Sequence, residues 1–131
     1  MIDQNAIREY FQNDTFAVEQ TGIVIDEVSE ERVVCSLTIE PHHKNANGTV
    51  MGGVSYTLAD FTFAVFANRH GVSTVTLSAN VQYLGVAKGK RLIATARAIK
   101  EGRSVITAEV TVTDELSNAV AHVVASGFSK R

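Results

Sequence analysis

The chain has 131 residues, 45% hydrophobic and 20% charged, enough apolar material for a sizeable core in one domain spanning 1–131. Twelve Lys and Arg against 14 Asp and Glu give a net charge of -2, so no concentration of cations is available to replace the counterions of a nucleic acid. The single cysteine, Cys35, excludes an intrachain disulfide and a cysteine-built zinc site, and the polar N-terminus lacks a basic-then-apolar leader, so a cytoplasmic protein is expected.

Along the chain, Ala6, Ile7, Tyr10 and Phe11 recur at helical spacing and predict a short amphipathic helix over 3–12. Two strands follow, 22–28 and 32–40, joined by the polar turn Ser29-Glu30-Glu31. In the second, Val33, Cys35, Leu37 and Ile39 alternate with Arg32, Val34, Ser36, Thr38 and Glu40, which places Cys35 in the core. Pro41 opens an irregular segment, 41–50. Residues 52–68 are small, apolar or hydroxylated apart from Asp60. This stretch is short of the roughly 20 residues a bilayer demands, and a carboxylate at its centre is costly in lipid, so it predicts a buried helix rather than a membrane span. Gly71 marks its end. Beyond it, 72–84, 90–100, 104–113 and 119–128 read as strands, with Ile106, Ala108, Val110 and Val112 on one face of the third.

The order is helix, two strands, one long helix, four strands. An antiparallel sheet with short turns needs a cover for its apolar face, and only the 53–68 helix is long and apolar enough. An α+β fold follows, a curved antiparallel sheet wrapped around one central helix. Its exposed edges invite pairing with another copy.

Asp60 is the most informative residue. It lies within Leu58-Ala59-Asp60-Phe61-Thr62-Phe63, far from the N-cap positions that suit aspartate. Facing out, or bonded to a donor of the sheet, it is structural; held in a water-poor pocket, it is a general base or nucleophile. Gly52-Gly53 stand where the helix begins. Its free N–H groups and partial positive charge suit a polarised carbonyl, and glycine permits close approach, although paired glycines also make ordinary turns. Eight residues separate Gly52 from Asp60, about 12 Å of helical rise, so the two serve one reaction only across a dimer interface.

The run His43-Lys44-Asn45-Ala46-Asn47-Gly48-Thr49-Val50-Met51-Gly52-Gly53, followed by Leu58-Ala59-Asp60, resembles the signature of hotdog-fold acyl-CoA thioesterases of the phenylacetate-degradation type. That signature is Asn, three residues to Gly, then His-Gly-Gly, then an acidic residue nine after the His. The order of elements also matches, so the resemblance spans nearly the whole chain. It implies that Asp60 is the catalytic acid, that the Gly52 N–H polarises the thioester carbonyl, and that Asn45 holds the attacking water or the substrate. Thr76 falls near the hydroxyl residue that faces the carboxylate from the next strand, with Ser78 taken to share its strand face. Met51 stands where the family has His, which leaves open a reduced, redirected or lost activity.

The same resemblance implies an acyl-CoA substrate and a homodimer with composite active sites, paired into a tetramer. No cofactor is implied, since coenzyme A is part of the substrate. Phe61 and Phe63 are expected beside the acyl groove, with Met51 and Gly53 at its mouth. Coenzyme A carries phosphates that need cations or free N–H groups, and Lys88, Lys90, Arg91, Arg103 and Ser104 at strand turns are candidates, solvated turn charges being the plain alternative. His42, His43, His70 and His122 have no metal-ligand spacing, are expected to be solvated, and predict no metal. Two competing functions are a non-catalytic acyl-CoA or small-ligand binding module, favoured by Met51, and a hotdog dehydratase, disfavoured by a missing histidine partner.

Overall fold

The computed structural model describes residues 2–71 and 73–130. In order, it contains α1 (Gln4–Phe11), a π-helical turn (Phe16–Gln20), β1 (Val24–Val28), β2 (Val33–Thr38), a 3-10 turn (Pro41–His43) and α2 (Gly52–Ala67). Then follow β3 (Thr74–Tyr83), β4 (Arg91–Glu101), β5 (Val105–Asp114) and β6 (Ala119–Ser129). Each predicted element is present with its ends shifted by at most two residues; Val72, where the third strand was expected to start, lies outside the described residues. The π-helical turn was not anticipated, because Phe16-Ala17-Val18 shows no period of its own.

The six strands form one antiparallel sheet in the order β1-β2-β4-β5-β6-β3. Alternation decides which side is apolar. Val33, Cys35 and Leu37 of β2, Leu92, Ala94 and Ala96 of β4, Ala108, Val110 and Val112 of β5, and Ala121, Val123 and Ala125 of β6 are all buried on the concave side. They pack on Leu58, Ala59, Phe61, Phe63, Val65 and Phe66 of α2, and this is the hotdog architecture. Burial pushes the Cys35 thiol pKa up to about 12, the mark of an inert core cysteine.

The two edges of the sheet are treated differently. β1 is short and bulged between Ile25 and Glu27, and the guanidinium of Arg8 on α1 donates to the exposed carbonyls of Ile25 and Asp26. β3 runs ten residues along the other edge, nearly all of them exposed, with no element laid over it. Its pairing with β6 slips between Thr76 and Ser78: Thr76 pairs with Gly127, and Ser78 with Ser126. The extra residue, Leu77, reverses the alternation, so Thr76 points to the concave face and Ser78 to the convex one, correcting the expectation that they share a face.

Candidate active site

A small hairpin delivers the chain to α2. Asn45 N–H donates to the Thr49 carbonyl, Lys44 bridges Val50, and Gly48 makes the turn at φ 81, the left-handed region that favours glycine. The Asn45 carboxamide organises this loop: Oδ1 accepts from the backbone N–H of Asn47 and Thr49 and from the Thr49 hydroxyl, while Nδ2 donates to Thr49 Oγ1. The loop is anchored by His43, which is buried rather than solvated as expected. Its Nδ1 accepts from the Glu40 N–H at 2.9 Å, so the proton sits on Nε2, which donates to the Thr21 carbonyl at 2.8 Å. Its own carbonyl accepts from the Met51 N–H at 2.9 Å. His122 and His70 are also paired, with Glu109 and Glu30.

Met51 is the N-cap of α2, half exposed, and its side chain caps nothing. The Val54 N–H turns back to the Met51 carbonyl, whereas the N–H groups of Gly52 and Gly53 have no acceptor among the described residues. Donors left open at the positive end of a 16-residue helix form a site for a carbonyl oxygen or an oxyanion. Glycine at 52 leaves room for a neighbour: a Cβ there would lie 3.0 Å from the ring of Tyr83, at the end of β3, and would push that ring aside by a few tenths of an ångström. Beside Gly53 opens an apolar cleft of about 420 Å³, lined among others by Phe16, His43, Met51, Val54 and Thr57.

Asp60 projects from the face of α2 turned away from its own sheet. It is exposed in the single chain and has no hydrogen-bond or ion-pair partner among the described residues. Partial burial by the surrounding protein raises its pKa above the ordinary carboxylate value, and the like charge of Asp14 adds to the rise. Tyr56, one turn earlier, is shifted upward by desolvation and by the neighbouring Asp60 and Tyr83. Asp60 thus faces out, yet not into a neutralising ion pair.

Other expected residues are dispersed. Phe61 and Phe63 belong to the core, Phe61 packed edge-on against Phe11 at 5.6 Å, so neither lines a groove on the open face. At residues 88–91 the backbone donors that could meet a phosphate are occupied. Lys88 and Gly89 donate to Asp114, and Lys90 and Arg91 to Glu115. Burial works to raise the Asp114 pKa, but hydrogen bonds from the Asn118 side chain and from the N–H groups of Lys88, Asn118 and Gly89 hold it well below the usual range. Arg91 is pinned to the Ser36 hydroxyl at 2.8 Å. Arg103 and Ser104 sit at the far end of β5, about 30 Å by strand rise from Lys88, and cannot share a ligand phosphate with it in one chain. Among the described residues no cluster of His, Cys, Asp and Glu could hold a metal ion, and no helix is long and apolar enough to cross a membrane.

A curved sheet wrapped on one long helix is the hotdog fold, and the open amides and unpaired carboxylate of that helix are groups suited to acyl-transfer chemistry. The chain belongs to the Thioesterase superfamily, whose model matches residues 47–121, and it is a thioester-hydrolysing enzyme. It is similar to acyl-coenzyme A thioesterase 13 of Mus musculus, 29% identical over 96 residues covering 71% of this chain and 69% of that protein. It is also similar to acyl-coenzyme A thioesterase PaaI of Escherichia coli, 29% identical over 120 residues covering 90% of this chain and 84% of the other. The structure of the E. coli PaaI protein superposes with a TM-score of 0.88 over 98% of this chain and 92% of that one, at 22% identity.

The sequence did not single out Tyr83, the anchoring His43 or the cleft at Phe16. Only the alternation of β3 carried a trace of Tyr83, and the bulge at Leu77 shifts even that count.

Proposed function

We propose that the chain hydrolyses acyl-CoA thioesters, aryl- or fatty-acyl, to the free acid and coenzyme A. The observation that carries this reading is Asp60, a carboxylate of raised pKa left without a partner on the open face of α2. The open amides at Gly52 of the same helix and the matched relatives' activity support it. The thioester carbonyl accepts from the Gly52 N–H, and the acyl group enters the apolar cleft beside Met51, Gly53 and Val54. In the general-base route, water attacks the carbonyl carbon while Asp60 takes one of its protons. The carbonyl π pair moves to the oxygen at Gly52. Collapse then breaks the C–S bond, and the proton on Asp60 passes to the leaving thiolate. In the nucleophilic route, Asp60 attacks first, the thiolate leaves, and water opens the mixed anhydride. Label in the Asp60 carboxyl after a single turnover in 18O water marks the second route, with water attacking the Asp60 Cγ of the anhydride and an Asp60 oxygen leaving with the acid; attack at the acyl carbon puts the label in the acid by either route.

Asp60 and Gly52 of one chain lie about 12 Å apart along the helix, so each Asp60 serves the Gly52 of a partner subunit. The bare β3 edge supports a homodimer, with the concave-facing hydroxyl of Thr76 meeting the carboxylate and Asn45 shaping the loop that presents the amides. Two such dimers form the tetramer. No cofactor is required, and the protein acts in the cytoplasm. Lys88 is the turn cation on the same sheet end as Gly52; Arg103 and Ser104 reach coenzyme A only from another protomer. The test is hydrolysis over a panel of phenylacetyl-, benzoyl-, short- and long-chain CoA esters, with Asp60→Asn alongside. Turnover lost in the variant supports the reading; binding of esters without turnover would assign the site to recognition alone.

A further inference from the structure

We propose that the phenol of Tyr83 is a second hydrogen-bond donor to the thioester carbonyl oxygen, acting beside the Gly52 amide in the same chain. The proposal rests on the thioester-hydrolysis reading above.

The placement of Tyr83 follows from the sheet. It pairs with Ala121, whose methyl is buried on the concave side, so the Tyr83 ring must also turn inward, toward α2. Immediately beyond it, the N–H groups of Leu84 and Gly85 both donate to the Val120 carbonyl, at 2.8 and 3.3 Å, which fixes the backbone that carries the ring. The ring then lies on the first residue of the helix. Its Cε1 and Cζ are 3.0 and 3.1 Å from where a Gly52 Cβ would be, and its hydroxyl is 3.4 Å from the same point. A core tyrosine normally spends its hydroxyl on a buried acceptor. The Tyr83 hydroxyl makes no hydrogen bond among the described residues, and the residue is 56% exposed.

Two donors without a partner among the described residues therefore stand beside Gly52, its own N–H and the Tyr83 O–H, which is 3.4 Å from where a Gly52 Cβ would be. A carbonyl oxygen has two lone pairs roughly in the carbonyl plane and can take both. The neighbouring side chain cannot compete for the role: Met51 at the N-cap has a thioether, which accepts weakly and never donates. The phenol is the side-chain O–H that the structure seats against Gly52, and as negative charge gathers on the carbonyl oxygen during attack its hydrogen bond strengthens. No proton transfer is asked of Tyr83; the water proton still goes to Asp60 and then to the thiolate.

The test is Tyr83→Phe, which keeps the ring on Gly52 and removes only the hydroxyl. The expected result is a fall in kcat of about 100-fold with KM changed by less than about threefold, since the bond is worth most in the transition state. Binding supplies a readout that a purely structural role would not move. Two inert CoA analogues are compared, a ketone with CH2 in place of sulfur and a thioether with CH2 in place of the carbonyl. The wild type should prefer the ketone, and Tyr83→Phe should reduce that preference by about fivefold. A Tyr83→Phe rate within twofold of wild type, with the ketone preference intact, would overturn the proposal and leave the thioesterase reading standing. If the wild type turns over no ester but shows a Tyr83-dependent ketone preference, hydrolysis falls and the carbonyl-recognising hydroxyl stands. Absence of both sinks both.

Discussion

The two ends of α2 are opposites. At the C-terminal end the polar side chains of Asn68 and Arg69 are fully engaged. Asn68 donates from Nδ2 to the carbonyls of Ala64 and Thr74 and accepts at Oδ1 from the N–H groups of Ser73 and Thr74. The Arg69 guanidinium is buried, donates to the carbonyls of Glu30 and Phe66 and to the Glu101 carboxylate, and lies 3.9 Å over the Phe66 ring. At the N-terminal end the cap has no side-chain bond, two amides have no acceptor among the described residues, and the Tyr83 ring seated on Gly52 keeps a hydroxyl with no partner among them. A helix whose purpose was only to fill a sheet would be closed at both ends. The asymmetry separates the part of α2 that holds the fold from the part left open to a ligand.

That division predicts that changes at the two ends affect different observables. The largest effect is expected from Asp60→Asn, with kcat reduced by about 1000-fold or more in a steady-state assay. Stability should move the other way. The folded-state pKa of Asp60 is raised, so ionising it costs stability; the cost is absent below the unfolded pKa and complete above the folded one. Asp60→Asn should therefore melt slightly higher than wild type at neutral pH, and the gain should vanish in acid. For the same reason the acid limb of the wild-type kcat/KM profile should lie above 3.8, because the base works only when ionised. An unshifted limb would remove Asp60 from the role.

Gly52→Ala comes next, with a loss of about 100-fold in kcat/KM, since the new methyl pushes on Tyr83 and crowds the amide. The exposed ring can yield by a few tenths of an ångström, so the melting temperature should barely change. Arg69→Met tests the other end. It should cost about 3 kcal/mol, read as a lower urea midpoint, because the Glu30 carbonyl and the Glu101 carboxylate lose this donor and the Phe66 carbonyl keeps only the backbone N–H of residue 69; kcat of the folded fraction should be unchanged. A loss of kcat there would erase the division. Smallest is Lys88→Glu, expected to raise KM for CoA esters by about threefold at low salt and not for pantetheine esters that lack the nucleotide. Arg103→Glu in parallel shows whether the turn at the far end of β5 reaches coenzyme A from another protomer.

Acid should also probe the cradle at residues 88–91. The Asp114 carboxylate is held well below its ordinary pKa, so its contribution is present above the unfolded value and lost as pH falls toward the folded one. Asp114→Asn should be less stable than wild type at pH 7, with the difference shrinking in strong acid, as differential scanning calorimetry would show.

Local pattern made much of the molecule legible. Alternation put Val33, Cys35 and Leu37, and likewise Ile106 to Val112, on the buried side, because a strand's period of two is a property of its own backbone. Gly52-Gly53 marked the helix start and Asp60 stood out by its mismatch with the apolar residues around it. Spacing also placed the two about 12 Å apart, before any coordinates. Phe61, expected beside the acyl groove, stands elsewhere: one residue is about 100° around a helix, and the turn from Asp60 carries Phe61 into the core.

What only the tertiary structure decided depends on pairing between distant segments. The order that sends β3 to the far edge beside β6, the bulge at Leu77 that parts Thr76 from Ser78, and the arrival of the Tyr83 ring on Gly52 all follow from register against β6. The occupied donors at 88–91 and the burial of His43 likewise depend on Asp114, Glu115 and Thr21, residues remote in sequence. The sequence by itself determined the elements, the apolar faces and the two groups suited to thioester chemistry, because side-chain period and helix rise act within a few residues. Which further groups stand beside them was settled by long-range register, in which one added residue turns a side chain to the opposite face.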